Sequence, residues 1–285
     1  MISKLRHLKQ HFFNQIDSIS NSQKMILRYT SWLENKSIFT CMYSHINSIM
    51  LPADIELQRY GKKHDGGYIM ANDFNDVRTA YSFGINDDVS WDKDIAIKGI
   101  QVFQFDPTID SLPENHPNFT FIKKEIYGGN DFHLLPRDSS YYFDTLKNFI
   151  NTYSPSDNNL LLKMDVEGYE YESLLESRDI LHRFKQITLE FHFLTDPMWA
   201  NLFCHISSLL SQTHQLIHVH GNNASNVVTI FGHSVSAAME FTYLRKDNYT
   251  FKKSKLYYPT SLDMPNIPNK REVLLGYLGQ EKESL

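Results

Sequence analysis

The sequence predicts a doubly wound α/β domain built on a mostly parallel sheet, and three observations carry that prediction. Short apolar runs alternate with segments of helical periodicity from about residue 55 onward, as βαβ units require. One run, Leu160–Met164, ends abruptly in Asp165-Val166-Glu167-Gly168, a turn signal at the strand end where ligands of parallel sheets gather. A content of 41% apolar and 13% aromatic residues supplies a large core and is too rich in core formers for a disordered chain.

The elements follow in order. Residues 1–50 read as helical: Leu5, Leu8, Phe12, Ile16 and Ile19 keep a three-or-four spacing, and Met25, Tyr29 and Trp32 repeat it. This apolar stripe needs a partner, so residues 1–52 are expected to form a helical extension that docks on the domain or makes a homo-oligomer. Contact with a membrane surface through Lys4, Arg6 and Lys9 is the less favoured alternative. The domain proper, 53–285, is expected to hold strands at Thr79–Gly84, Gln101–Asp106, Asn118–Ile126, Leu160–Asp165, Gln186–Phe193 and Gln215–His220. Helices are expected at Val89–Lys98, Tyr141–Tyr153, Tyr169–Ser177 and Trp199–Thr213. A last strand, Ala238–Leu244, follows without an intervening helix and is expected to run antiparallel to its predecessor. The tail 246–285 reads as a lid or a packing arm.

Composition narrows the partners. A net charge of −5 argues against nucleic acid. Cys41 and Cys204 make no disulfide framework and no metal knuckle, and no leader-like or membrane-spanning apolar run occurs, so a soluble cytoplasmic protein is expected.

The first βα unit, Ala80–Asp88, has a glycine after its strand, and the next strand ends in Asp106-Pro107. Gly84 and Asp106 are 22 positions apart, the spacing at which an acid reaches ribose hydroxyls beside a glycine turn. The GxGxxG fingerprint is absent, and Asn86, Asp87 and Asp88 crowd the turn with acids that would repel a pyrophosphate. A cofactor with ribose and no phosphate suits this turn, and S-adenosylmethionine, with its sulfonium, amino group and ribose diol, is such a cofactor. Gly66-Gly67 suits either a hairpin turn or backbone packing against a ligand.

The second half carries acids and imidazoles. Strand alternation puts Glu190 and His192 on one face and His218 and His220 on one face. With Asp165 they stand at the ends of three strands expected to lie close together. Such a set suits a divalent cation such as Mg²⁺ or Mn²⁺ held by Asp165, Glu190 and His220, or a general base at His192 or His220. Lys163, on the side of Asp165, suits an ion-pair partner or a proton-transfer group. Glu167 is expected to cap the following helix.

These motifs together resemble the FkbM-type, methyltransferase-21-like family of S-adenosylmethionine-dependent methyltransferases. The resemblance rests on DGGY at Asp65–Tyr68, YSFGINDD at Tyr81–Asp88, FDPT at Phe105–Thr108, LLKMDVEGYE at Leu161–Glu170, LEFH at Leu189–His192, HVHGNN at His218–Asn223 and LDMPN at Leu262–Asn266. It implies a class I, Rossmann-like methyltransferase fold and methyl transfer to a hydroxyl of a sugar or another natural product; an O-methyltransferase acting on a sugar, nucleotide-sugar or polysaccharide precursor is expected. Cofactor contacts are then expected at Asp65, Gly67, Ser82, Gly84, Asn86, Asp87, Asp106, Pro107, Ile126 and Asp165. Asp165 with Glu190 and the histidines would face the acceptor, with His192, His220, Asp165 and Lys163 as the catalytic candidates. A DxD-like clamp at Asp165–Glu167, as in a metal-dependent glycosyltransferase, and a non-catalytic scaffold in a carbohydrate-modifying complex are the alternatives.

Overall fold

A computed structural model describes residues 38–129, 141–230, 233–247 and 249–279. The expected helices over Leu5–Ile19 and Met25–Trp32 lie outside the described residues. Of the N-terminal extension, a helix is seen over 38–49 (α1), whose Phe39, Met42 and Ile46 are buried at helical spacing.

The elements that follow are β1 (Leu57–Tyr60), β2 (Tyr68–Ala71), β3 (Thr79–Phe83), α2 (Ser90–Ala96), β4 (Gln101–Phe105), β5 (Phe119–Ile122) and β6 (Glu125–Ile126). Then come β7 (Phe143–Asp144), α3 (Leu146–Tyr153), β8 (Leu160–Met164), α4 (Glu170–Glu176), β9 (Phe184–Phe191), α5 (Pro197–Leu210) and β10 (His214–Gly221). The chain closes with β11 (Val227–Ile230), β12 (His233–Ser236), β13 (Met239–Arg245), β14 (Leu256–Tyr258) and β15 (Gly276–Leu278).

Seven strands form the central sheet in the order β10-β13-β9-β8-β3-β4-β5. β9, β8, β3, β4 and β5 pair in parallel, and β13 runs antiparallel to both β10 and β9. The mostly parallel sheet and its antiparallel last strand are as the sequence predicts.

Three local expectations are corrected. The strand expected over Asn118–Ile126 breaks into β5 and β6, because a turn closed by Lys124 N–H on Ile122 O interrupts it. The helix expected from Tyr141 begins only at Leu146. Phe143–Asp144 pairs with β6, and the Thr145 hydroxyl caps the helix by accepting from Asn148 N–H at 3.2 Å. Helix α5 starts before Trp199, with Asp196 capping Met198 N–H at 2.9 Å and Pro197 in the first turn.

The alternation of side chains divides the sheet into two unlike faces. Tyr81, Phe83, Phe105, Leu160, Leu162, Met164, Ile187, Leu189, Phe191, Phe241 and Tyr243 join a single apolar core with α1, α3, α4 and α5. The intervening residues, among them Ser82, Gln104, Lys163, Gln186, Thr188, Glu190, Glu240 and Thr242, are buried and polar.

That polar face is covered by the β1–β2 hairpin. The Gln186 amide donates to Ala71 O and accepts from Ala71 N–H, each at 3.0 Å, and the Thr242 hydroxyl donates to Ile69 O at 2.6 Å. The sheet thus satisfies the backbone of β2 with its side chains, as a buried strand edge requires. Gly66-Gly67 lies in the loop of this hairpin, and Gly66 also borders the cleft described below.

The tail is a packing arm. Tyr258, Val273, Leu275 and Leu278 are buried in the main core, and Tyr258 packs its ring edge-on to His218 at 5.5 Å.

Candidate functional site

A cleft of about 410 Å³ opens at the carboxyl ends of β3, β4 and β8, a volume suited to a small-molecule ligand. Its floor is the Gly84 turn. Gly84 has φ +79, and a methyl group on it would run into the Asp165 carbonyl oxygen, so only glycine lets the two strand ends approach.

Asp106 fixes the shape of that turn. Its Oδ2 accepts from Ile85 N–H at 2.9 Å and Asn86 N–H at 2.8 Å, and its Oδ1 accepts from Thr108 N–H at 2.7 Å and the Thr108 hydroxyl at 2.6 Å. Burial works against the ionised carboxyl, yet these donors hold its pKa below the usual carboxylate range. Asp88 bonds Ser90 at the start of α2 and pairs with Lys62 at 3.2 Å. Lys163 donates to Gly84 O at 2.7 Å and forms no ion pair with Asp165 among the described residues, so it supports the turn.

Most residues expected at a cofactor do border this cleft: Asp65, Gly84, Asn86, Asp87, Asp106, Pro107, Ile126 and Asp165. Two do not. Ser82 is fully buried beneath the turn, on the side of Asp92 and Gln104, and Gly67 packs against Lys62 and Arg59 while its neighbour Gly66 reaches the cleft. Lys62, Trp91 and Lys124 line the same cleft without any motif to mark them, and Tyr169 lines it from within the LLKMDVEGYE motif, where no role was expected of it.

Beyond Asp165 lies a buried acidic group with one histidine. His192 Nδ1 is 3.0 Å from Glu170 Oε1, and its Nε2 faces Asp165 Oδ1 at 3.8 Å and Glu167 Oε2 at 3.6 Å. Burial would lower the pKa of this ring, but Glu170, Glu190 and Asp165 together raise it to about 10. Glu190 is buried, and its pKa is raised by that burial and by the neighbouring Asp165 charge. The Tyr68 hydroxyl donates to Asp165 Oδ2 at 3.0 Å, and Asn222 Nδ2 donates to Glu190 Oε1 at 2.7 Å. Asp165, Glu190 and His192 each offer a ligand atom within 4.8 Å of the others, an arrangement able to hold a metal ion.

His220 does not join them, contrary to expectation. The antiparallel strand β13 inserts between β9 and β10, so β10 is no neighbour of β9. Both ring nitrogens of His220 are taken, Nδ1 by Glu240 at 3.3 Å and Nε2 by Glu272 at 2.5 Å. Burial would lower its pKa, but these two carboxylates raise it to about 10. His218 likewise holds Asp263 at 2.8 Å. Both histidines therefore fasten the tail, helped by Asn266, which donates to Glu240 at 2.9 Å and Asp65 at 3.1 Å.

Glu167 does not cap α4. It stands at φ +54 with its side chain exposed, and Glu170 turns back instead to accept from Val166 N–H at 2.9 Å. Sequence reasoning missed Glu170 as a site residue. The signal was present as an acid at the first residue of the helix after the DVEG turn.

A seven-stranded, mostly parallel sheet with one antiparallel strand and a ligand-sized cleft at its carboxyl ends is an α/β architecture compatible with a methyltransferase fold. The family described as methyltransferase FkbM domain matches residues 144–222, from α3 through β10, in agreement with the resemblance read from the motifs. That stretch includes Asp165, Glu170, Glu190 and His192, and it leaves out the Gly84 turn and Asp106. No curated protein matches the chain significantly. No helix among the described residues is long and apolar enough to cross a membrane.

Proposed function

We propose that the protein is an S-adenosylmethionine-dependent O-methyltransferase acting on a hydroxyl of a sugar or polysaccharide precursor. The observation that carries this reading is the double membership of Asp165, which lines the cleft and belongs to the buried group of Glu190 and His192. A cofactor in the cleft and an acceptor beside His192 would meet at this one side chain.

The cleft suits the cofactor chemically. Asp65, Asp87, Asp106 and Asp165 favour a sulfonium, an amino group and ribose hydroxyls, and they disfavour a diphosphate. The Gly84 turn and Asp106 would hold the methionine and ribose portions, with Ile126 and Pro107 against the adenine side. When bound, S-adenosylmethionine supplies an electrophilic methyl group on its sulfonium sulfur. The chain contributes alignment of the acceptor oxygen and a receiver for its proton in the Asp165 carboxylate, which faces the protonated His192 ring that Glu170 orients. Lys163 acts through the Gly84 carbonyl and so positions the turn.

A sugar suits the acceptor side. Carboxylates and the Asn222 amide offer hydrogen-bond partners for a polyol, and Phe193, held at φ +62, sets a partly exposed ring next to His192. Such a ring gives the apolar face of a sugar a surface to pack on. Tyr257 is exposed, whereas Tyr258 is buried in the core.

Calorimetry with S-adenosylmethionine and S-adenosylhomocysteine against UDP- and GDP-sugars tests the reading. Binding of the first pair with no heat from the nucleotide-sugars is expected. Failure of both cofactor forms to bind would sink it, and binding of a nucleotide-sugar alone would favour a glycosyltransferase. Labelled methyl transfer to a panel of sugars then identifies the acceptor class.

A further inference from the structure

We propose that Asp165, Glu190 and His192 form a binding site for one divalent transition-metal cation. Its use in acidifying an acceptor hydroxyl rests on the methyl-transfer reading, but its occupancy is measurable without turnover.

The three side chains share a pattern: each has one atom held by a neighbour and another turned inward. Tyr68 holds Asp165 Oδ2 at 3.0 Å, leaving Oδ1 toward His192. Asn222 holds Glu190 Oε1 at 2.7 Å, and the other oxygen of this side chain, which is only 5% exposed as a residue, accepts no hydrogen bond among the described residues. Glu170 holds His192 Nδ1 at 3.0 Å, leaving Nε2 at 3.8 Å from Asp165 Oδ1, too far for a hydrogen bond. A carboxylate behind a histidine whose second nitrogen faces carboxylates is the arrangement that orients metal-binding imidazoles.

The spacing and chemistry agree. Ligand atoms around an ion at about 2.1 Å lie about 3 to 4 Å apart, so three atoms within 4.8 Å need to close by only about 1 Å. A divalent cation takes over from the proton on His192 as the positive charge among these carboxylates, and its binding releases that proton. One imidazole nitrogen with two carboxylate oxygens suits Mn²⁺ better than Mg²⁺, which prefers an all-oxygen shell. Three protein ligands leave coordination positions for water or an acceptor oxygen. His220, fully engaged by Glu240 and Glu272, is outside the site.

The test uses the full chain, stripped with chelator and titrated with Mn²⁺ while free Mn²⁺ is followed by electron paramagnetic resonance. One Mn²⁺ per chain is expected, with Mg²⁺ a weaker competitor. Asp165→Asn and Glu190→Gln should each weaken binding at least about tenfold, and Glu170→Gln, which keeps all three ligands, by about 10- to 100-fold. Glu272→Gln should leave Mn²⁺ affinity unchanged. No retained Mn²⁺, or equal retention by the Asp165 and Glu190 variants, overturns the proposal. If one of these variants fails to fold by circular dichroism, the other carries the test. Calorimetry of S-adenosylhomocysteine on the same samples separates the two ideas: cofactor binding without Mn²⁺ removes only the metal site, and Mn²⁺ binding without cofactor removes the methyltransferase reading.

Discussion

The Tyr68 hydroxyl donates to Asp165 Oδ2 at 3.0 Å, joining the β1–β2 hairpin to the end of β8 across 97 positions of sequence. Burial, together with the neighbouring charges of Asp165, Glu190 and Glu240, pushes the tyrosine pKa well above its ordinary value, so it remains a donor. Tyr68→Phe removes one charge-assisted bond and frees the carboxylate to rotate. A loss of about 1.5 to 3 kcal/mol in urea unfolding is expected. Affinity for S-adenosylhomocysteine should fall as well, because the freed Asp165 carboxylate borders the cleft even though Tyr68 does not.

Gly84→Ala should be far more damaging. The residue sits at φ +79, and the new methyl would collide with backbone, the Asp165 carbonyl oxygen, which cannot swing away as a side chain would. Loss of more than about 3 kcal/mol of stability, from strain and overpacking together, is expected in the same unfolding measurement. Cofactor binding in calorimetry should be abolished. An alanine variant of near-native stability would show that the two strand ends are not held this close.

Asp106→Asn separates charge from shape. All four donors to this side chain point at its oxygens, so either orientation of an asparagine amide sets an NH₂ against N–H or O–H donors. The turn from Gly84 to Asn86 should loosen, and S-adenosylhomocysteine affinity should fall at least about tenfold, with about 1 to 3 kcal/mol lost in stability. Unchanged affinity would remove Asp106 from the cofactor site.

Two buried histidines set opposite limits on stability with pH. His214 is fully buried, faces the Phe184 carbonyl at 2.9 Å, and burial lowers its pKa to about 4. Its unfolded form protonates near pH 6.5, so its contribution is present above that pH. It is lost as the pH falls toward 4, about 3 kcal/mol in all. His220 is the reverse. Despite burial, Glu240 and Glu272 raise its pKa to about 10, so its contribution is complete below pH 6.5 and is lost as pH climbs toward 10. Urea midpoints from pH 4 to 10 should peak near pH 6.5. His214→Gln should flatten the acid limb, and His220→Gln should reduce the alkaline limb, leaving the part carried by His192, whose pKa is likewise raised to about 10. Unaltered slopes in both variants would contradict these assignments.

The strands of the central sheet were legible because each carries apolar residues, in a run or in alternation, between turn signals, and the shared faces because alternation alone decides them. The breaks at Lys124 and Phe143 were not legible, since β6 and β7 are two residues each and exist only through pairing with one another. His220 was misplaced for a topological reason. Neighbouring β10 to β9 is natural from chain order, and only the insertion of β13 separates them. Glu170 was overlooked because its role depends on a helix that turns its first residues back over the strand end.

The sequence by itself determined the central strands, the shared faces of Glu190 with His192 and of His218 with His220, the glycine turn at Gly84 and the DVEG corner, because these follow from local spacing and backbone sterics. Tertiary structure decided which acids and histidines act together. It put His192 with Asp165 and Glu190, and sent His218 and His220 to fasten the tail. The physical reason is that partners for buried charges are chosen by strand order and long-range packing, which leave no periodic trace in the chain.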